Sequence, residues 1–199
     1  MSNVLVLYYS TYGHIEQMAV VMAEGAREAD VDATVKRVPD TMQHKGGGSH
    51  GVRVNEAHPA ADPEELAGYD AILVGTPTHY GNICSQMSSF WARTGALWKK
   101  GALVGKVGGA FSSTSSQHGG NEASILSMHR TLLHHGMLLV GLPYSFKGQL
   151  EGGAESGGSP YGATTIADSD MSRQPGTTDL NGARFYGKHA ATVARQLFS

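Results

Sequence analysis

The chain begins with an apolar strand that runs directly into a hydroxyl-rich turn and a helix. The strand is Val4–Tyr9, and the turn reads Ser10-Thr11-Tyr12-Gly13-His14-Ile15. Such a turn points unpaired backbone N–H groups and the positive end of a helix dipole at one place, which binds phosphate without a formal charge. No lysine or arginine occurs among the first 20 residues. A phosphate here would therefore be held by main-chain amides and by the hydroxyls of Ser10 and Thr11.

The composition predicts a single domain, residues 1–199, that is soluble and cytoplasmic. Of the 199 residues, 40% are apolar, which is enough for a full core. A net charge of -2 excludes a strongly basic surface for nucleic acid or anionic lipid. The single cysteine, Cys84, excludes an internal disulfide and suits a reducing compartment. No run is long and apolar enough for a membrane span, and no signal-peptide pattern precedes the first strand.

The histidines and glycines do not form a metal or dinucleotide motif. The ten histidines are scattered, with neither Cys-x-x-Cys nor His-Glu-x-x-His spacing, so no metal site is predicted. Gly46-x-Gly48-x-x-Gly51 matches the dinucleotide fingerprint in letters, but it follows polar residues instead of a strand. We interpret it as a loop, and a nicotinamide nucleotide would then bind only as a substrate.

Apolar periodicity predicts strands and helices in alternation. Five strands are expected, at residues 3–9, 31–38, 69–75, 106–112 and 137–142. Helices are expected at residues 15–26, 87–98 and 122–135, with Leu133 on the inner side of the third, and from Asp179 onward. Two long loops, 40–63 and 148–179, separate them, with one short capped helix at 62–66. This α/β order predicts a doubly wound parallel sheet, whose ligands lie beyond the carboxyl ends of the strands. The loops 10–15, 76–82 and 112–120 converge there.

Seven segments in order, the last two within one loop, resemble the WrbA-type flavodoxin-like NAD(P)H:quinone oxidoreductases. They are 9–15 (YSTYGHI), 75–82 (GTPTHYGN), 94–98 (TGALW), 111–114 (FSST), 134–137 (HHGM) and the loop segments 159–165 and 172–175 (SPYGATT, SRQP). The resemblance covers most of the chain. It implies a flavodoxin-like five-stranded parallel sheet in the order 2-1-3-4-5, with helices on both faces.

The resemblance also implies FMN as cofactor and assigns residues to it. The phosphate would bind at Ser10, Thr11, Tyr12, Gly13, His14 and Ile15, and the isoalloxazine ring would lie against Pro77, Thr78, His79 and Tyr80. Further flavin contacts are implied for Ser113, Thr114, Ser115, Ser116, Gln117, His118, Gly119 and His134. Tyr12 and Trp98 would help line the site for nicotinamide and quinone. The family is typically tetrameric, with each flavin pocket completed by neighbouring subunits.

The chain departs from the family pattern in two places. His79-Tyr80 stand where an arginine and a phenylalanine are usual, which changes the charge beside the flavin. The stretch 115–118 has fewer glycines and is one residue longer than usual.

Several of these residues also have structural explanations. The first turn could be an ordinary helix start, 77–82 a surface turn and 112–120 a solvated loop. His134 and His135 could interact with a helix C-terminus, and we interpret His135 as structural. Trp98 could serve packing or an interface, and Cys84 is expected to be a small buried residue.

The predicted function is an FMN-dependent NAD(P)H dehydrogenase (quinone). FMN would take hydride from NAD(P)H and then give two electrons to a quinone in a ping-pong sequence, so no catalytic side chain is assigned with certainty. Protonated His79 or His134 would stabilise negative charge on the reduced ring. The alternatives are a one-electron flavodoxin-like carrier, which the weak net charge disfavours, and a regulatory or scaffold protein with structural FMN or none.

Overall fold

The computed structural model describes residues 2–40, 57–151 and 157–198. The segment with Gly46, Gly48 and Gly51, and parts of both predicted long loops, lie outside these residues. The strands are β1 (Asn3–Tyr8), β2 (Asp32–Arg37), β3 (Ala71–His79), β4 (Asn82–Ile83), β5 (Val107–Thr114), β6 (Leu138–Leu139) and β7 (Thr164–Ile166). The α-helices are α1 (His14–Arg27), α2 (Ser85–Ala92), α3 (Gly95–Lys100), α4 (Asn121–His134) and α5 (Thr177–Phe198). Short 3-10 helices lie at Pro63–Gly68 and Lys147–Leu150.

The main sheet is parallel, with strand order β2-β1-β3-β5-β6. Counted without the short hairpin strand β4, this is the predicted order 2-1-3-4-5. Along β3, Leu73 pairs with Val6 of β1 on one side and with Gly109 of β5 on the other. The fold prediction is therefore confirmed.

Alternate residues of the central strands enter two separate cores. Val4 and Val6 face α1 and α5, where Met18, Met22 and Tyr186 are buried. Leu5 and Leu7 face the other way, toward the apolar side chains of α2 and α4. Because both faces are covered, the strands are apolar almost throughout, as parallel strands usually are. None of the described helices is long and apolar enough to cross a membrane.

The structure corrects several predicted boundaries. The helix expected over 87–98 is two helices, because the Thr94 hydroxyl donates to the Trp91 carbonyl (2.7 Å) and closes α2. The fifth predicted strand, 137–142, keeps only Leu138–Leu139. The last helix begins two residues before Asp179, and Leu133, predicted to face inward, is 57% exposed. The capped helix near residue 62 is confirmed, with Asp62 and Glu65 forming a capping box.

Two strands escape prediction because they are too short to show a period. β4 pairs antiparallel with the end of β3. β7, inside the stretch expected to have no clear element, pairs parallel with the end of β5. Both extend the sheet at the edge where the parallel strands end.

Helices α1 and α5 approach each other backbone to backbone at two glycines. A Cβ atom on Gly25 would lie 2.0 Å from the Arg184 carbonyl oxygen, and one on Gly187 would lie 2.0 Å from the Met22 carbonyl oxygen. Only glycine allows this approach, which fixes the position of α1 on the sheet.

Replacing Gly187 by alanine should lower the free energy of unfolding by about 1–3 kcal/mol, because the helices must separate. Without the contact, replacing glycine by alanine inside a helix would raise the free energy of unfolding by about 1 kcal/mol. The sign of the measured change therefore distinguishes the two cases. The measurement is urea denaturation of both proteins. Gly95→Ala is the matched control: Gly95 is exposed on α3 with no atom within 4 Å of its Cβ position. A Gly187→Ala protein as stable as the parent would contradict the packing argument.

Candidate functional site

The loops that follow β1, β3 and β5 meet at the carboxyl edge of the sheet. A Cβ atom on Gly120 would lie 3.0 Å from the Cα of Gly81, so the second and third loops are in close contact. The Ser124 hydroxyl, in the first turns of α4, donates to Thr78 Oγ1 (3.0 Å) and contacts the Asn82 carbonyl (3.1 Å). The predicted convergence is therefore present in the structure.

The first loop presents a set of amides that use no acceptor among the residues that the structure describes. Gly13 has a φ of 94°, which favours glycine, and its N–H donates to Ser10 Oγ (3.0 Å) at the start of α1. Among the hydrogen bonds of the described residues, none uses the N–H of Thr11, Tyr12, His14 or Ile15. Together with the dipole of α1, these groups form an anion site.

The side chains of this loop divide into two groups. Thr11 and Tyr12 are half-buried and border the site. His14 and Ile15 are buried, at 3% and 1% exposure, and point away from it. Ile15 packs near Gly75, and His14 Nε2 lies 2.9 Å from the Arg173 carbonyl oxygen. His14 and Ile15 can therefore reach an anion only through their main chain.

Two tyrosines at the end of β1 form side-chain hydrogen bonds next to the first loop. The sequence predicted them only as residues of an apolar strand. Tyr8 Oη lies 3.0 Å from His58 Nδ1, and Tyr9 donates to Asp40 Oδ2 (3.2 Å) while accepting from Gln86 Nε2 (3.0 Å). Burial, with smaller contributions from Glu16 beside Tyr8 and Asp40 beside Tyr9, raises the pKa of both phenols above its ordinary value. Both hydroxyls are neutral at pH 7.

The second loop is a tight hairpin. Tyr80 (φ 54°) and Gly81 (φ 76°) are its two turn residues, and His79 pairs with Asn82 across it. Two successive residues with positive φ are typical of the type I′ turn that joins short antiparallel strands. A tyrosine in this conformation stores backbone strain of about 1–3 kcal/mol. Its side chain is fully exposed, so the turn displays an aromatic ring at the edge of the site.

The other side chains of this loop differ in their hydrogen bonding and exposure. The Thr78 hydroxyl is hydrogen-bonded to Ser112 Oγ (3.1 Å) and to the Ser124 hydroxyl. Thr78 therefore stabilises the conformation of the loop. Pro77 is half-buried, directly before it. His79 is exposed, but the protein atoms near its ring desolvate the charged form and lower the pKa of the imidazole. In the unliganded protein His79 is therefore neutral at pH 7.

The third loop begins inside the sheet and then turns outward. Ser113 and Thr114 are buried at the end of β5, and the Thr114 hydroxyl donates to the Ser116 carbonyl (2.8 Å). The Gly119 amide donates to the same carbonyl (3.0 Å), which rounds the loop over residues 115–118. These four residues, Ser115, Ser116, Gln117 and His118, are exposed.

The segment that follows β7 lies beside the third loop, and the sequence did not predict this. A groove of about 510 Å³ separates residues 115–117 from residues 168–172, which follow β7. Asn121, at the start of α4, has a buried Oδ1 without a hydrogen-bond partner among the described residues. An uncharged donor from a ligand would satisfy it.

One of the predicted residues, His134, does not join this cluster within one chain. His134 ends α4, whose first turn lies at the site, so the helix length of roughly 20 Å separates them. It lines a different groove, between α2 and α4, with Ser88 and Arg130. Trp98 lies on α3 and is 60% exposed.

His135 is structural, as predicted. It is 7% exposed, its ring centroid lies 5.5 Å from that of Trp91, and its Nε2 lies 2.9 Å from Thr94 Oγ1. Because the Thr94 hydroxyl donates to the Trp91 carbonyl, it accepts from His135, whose Nε2 therefore carries the proton. Cys84 is also buried, and burial raises the pKa of its thiol.

The arrangement suits a flat ligand with an anionic tail. The unused amides lie at one loop, and the displayed tyrosine and half-buried proline lie at the next. Within the described residues, no three His, Cys, Asp or Glu side chains are grouped so as to hold a metal ion. The donor set fits the phosphate and ring of FMN, and the residues present offer main-chain amides and hydroxyls in place of fixed cations.

Comparisons with known proteins agree with this geometry. The model of the family of NADPH-dependent FMN reductases matches residues 2–149. A protein of Gluconacetobacter diazotrophicus named NAD(P)H dehydrogenase (quinone) is 53% identical over 197 residues, which cover 99% of each chain. The crystal structure of a WrbA-like flavodoxin from Agrobacterium tumefaciens is 28% identical with a TM-score of 0.68, covering 98% of this chain and 99% of that one.

A flavodoxin from the domain Archaea, at 21% identity and a TM-score of 0.65, shares the fold over 97% of this chain and 99% of its own. The family match spans most of the chain, and the quinone dehydrogenase matches it from end to end. The chain therefore belongs to the NADPH-dependent FMN reductase family, within its WrbA-type, flavodoxin-like branch.

Proposed function

We propose that the loops 10–15, 77–80 and 113–119 bind FMN and that the chain acts there as an NAD(P)H dehydrogenase (quinone). The observation that carries the binding site is the set of unused amides at Thr11, Tyr12, His14 and Ile15 around the positive-φ Gly13. The full-length similarity to a protein named NAD(P)H dehydrogenase (quinone) supports the activity.

Each loop contributes a different property to the site. The first loop would hold the phosphate with amides and with the hydroxyls of Ser10 and Thr11, which are neutral and cost little desolvation. The hairpin would flank the ring with Pro77 and Tyr80. The third loop would approach the ring with main-chain groups that Thr114 and Gly119 keep in place through the Ser116 carbonyl.

When bound, FMN would supply the redox chemistry, accepting hydride from NAD(P)H and returning two electrons to a quinone in alternation. The protein's part is to orient the two substrates over one face of the site in turn. Tyr12 lies within the phosphate loop with a half-buried side chain, and it would help line that face. No side-chain nucleophile is needed.

His79 would respond to the charge that reduction places near the ring. Its imidazole is neutral beforehand, because desolvation lowers its pKa. Negative charge nearby favours the protonated form and raises that pKa again. His79 would therefore take up a proton on reduction, where the usual arginine of the family carries a permanent charge.

The site would be completed by neighbouring subunits of a homotetramer. In support, Trp98 exposes 60% of its surface and His134 lies well away from the site of its own chain. Both residues would then reach the FMN of another subunit. We place the enzyme in the cytoplasm, on the grounds of its single, buried cysteine.

The activity is tested with purified protein under anaerobic conditions. NADH or NADPH should bleach the flavin absorbance, and a benzoquinone should then be reduced continuously without any partner protein. Bleaching without steady turnover would indicate an electron carrier. Colourless protein that takes up no FMN on titration would instead contradict the binding site.

The response of His79 predicts a pH-dependent potential. Between the lowered pKa before reduction and the raised pKa after it, one extra proton is taken up. The midpoint potential of the parent should therefore fall with pH by about 30 mV per unit more steeply than that of His79→Gln. His79→Arg, with a fixed charge, should raise the potential without adding this slope. Equal potentials and slopes in the parent and His79→Gln would refute the assignment.

The assembly predicts a mass of four chains in sedimentation equilibrium at micromolar concentration. Trp98→Ala should leave the stability of the fold nearly unchanged, because the side chain is exposed, and should raise the KM for quinone. Tyr144→Ala, at a 53% exposed aromatic, is the matched control and should leave KM unchanged. A monomer at every concentration would contradict the shared site.

A further inference from the structure

The side chain of His14 connects the first loop to a distant part of the chain. His14 is the first residue of α1 and is 3% exposed. Its Nε2 lies 2.9 Å from the main-chain oxygen of Arg173, 159 residues away. A carbonyl oxygen only accepts, so Nε2 must carry the proton. Burial lowers the pKa of His14; the hydrogen bond to the Arg173 carbonyl opposes this effect and the charge of Arg173 adds to it, so the net shift is downward and the ring is neutral.

Arg173 is itself held firmly. Its N–H donates to the Ala167 carbonyl (3.2 Å), and its guanidinium donates to the Ile166 carbonyl and pairs with Asp179 (3.2 Å). The acceptor that His14 uses is therefore fixed in space.

Asp179 forms the centre of this anchor. Its fully buried carboxylate accepts from Gly157 N (2.7 Å), Thr165 Oγ1 (2.7 Å) and Gly176 N (3.1 Å) besides Arg173. We call these five residues the Asp179 clamp. It joins the segment 157–176 to the first turn of α5, and α5 packs against α1 through Gly25 and Gly187.

We infer that His14 is a positioning residue: by donating to the Arg173 carbonyl it orients the first turn of α1 so that the unused amides around Gly13 converge on the FMN phosphate. The inference rests on the phosphate site proposed above. His14 carries one of the unused amides on its own main chain. Because its ring is held by the Arg173 carbonyl, the direction of that main-chain N–H is fixed. The clamp also reaches the third loop, because the Ala167 amide donates to the Thr114 carbonyl (2.8 Å).

The test compares FMN with riboflavin, which lacks the phosphate, on the full chain freed of flavin. The dissociation constant of riboflavin divided by that of FMN measures how much the phosphate contributes to binding. In His14→Phe, which keeps the ring volume but not the donor, this ratio should fall about tenfold. A residue that only supported the fold would weaken both ligands by the same factor.

Two amide variants refine the test and serve if His14→Phe does not fold. The side-chain nitrogen of His14→Gln reaches the position of Nε2, whereas that of His14→Asn is one methylene too short. The glutamine variant should stay within about threefold of the parent ratio, and the asparagine variant should behave as His14→Phe does. His129→Phe is the matched control, because His129 is also buried but its Nε2 has no hydrogen-bond partner among the described residues. Its ratio should be unchanged.

Each outcome decides between the proposals. A parent ratio near one would refute the phosphate site itself, and this inference with it. A parent that discriminates strongly while both His14→Phe and His14→Asn keep its ratio would refute the positioning role alone. An equal loss of FMN and riboflavin affinity in these variants would assign His14 to folding and also overturn the inference.

Discussion

The position of helix α1 on the sheet decides what the site can bind. The helix is held along its length by the glycine contacts with α5 and at its first turn by the hydrogen bond of His14. With the helix fixed, the N–H groups of Thr11, Tyr12, His14 and Ile15 lie around its start, and none of them uses an acceptor among the described residues. An anion there gains several hydrogen bonds and the helix dipole at once, at no cost in reorganisation.

The candidate site offers neutral groups in place of fixed cations. The first 20 residues contain no lysine or arginine, and the tyrosines beside the loop are neutral because burial raises their pKa. At the second loop, His79 begins uncharged. Under the proposed function, its charge would follow the redox state of the site, which a permanently charged side chain cannot do. This is the main physical difference that the chain's departure from the family pattern introduces.

Under the proposed function, a single chain builds the phosphate loop and the hairpin, and neighbouring subunits complete the substrate site. His134 lies at the end of α4 opposite to the loops, and both His134 and Trp98 are exposed in the isolated chain. A site shared between subunits would use both residues and would cover the exposed tryptophan. The same architecture would link cofactor binding to assembly, because each subunit would complete a neighbour's site.

The sequence predicted the larger features because each has a periodic or local signal. The apolar runs within the predicted strands 3–9 and 69–75 are long enough to identify buried parallel strands, and the turn at residues 10–15 is recognisable from neighbouring residues alone. β4 and β7 were missed because two or three residues carry no period. The break between α2 and α3 depends on the side-chain bond of Thr94, which periodicity does not report.

By itself, the sequence determined the fold class, the strand order through its family resemblance, and the loops that surround the site. Only the tertiary structure decided which side chains of those loops face the ligand. His14 and Ile15 lie within the predicted phosphate loop, yet their side chains are used for a long-range hydrogen bond and for the core. The partner of His14 lies 159 residues away, and a contact between residues so far apart leaves no trace in local spacing.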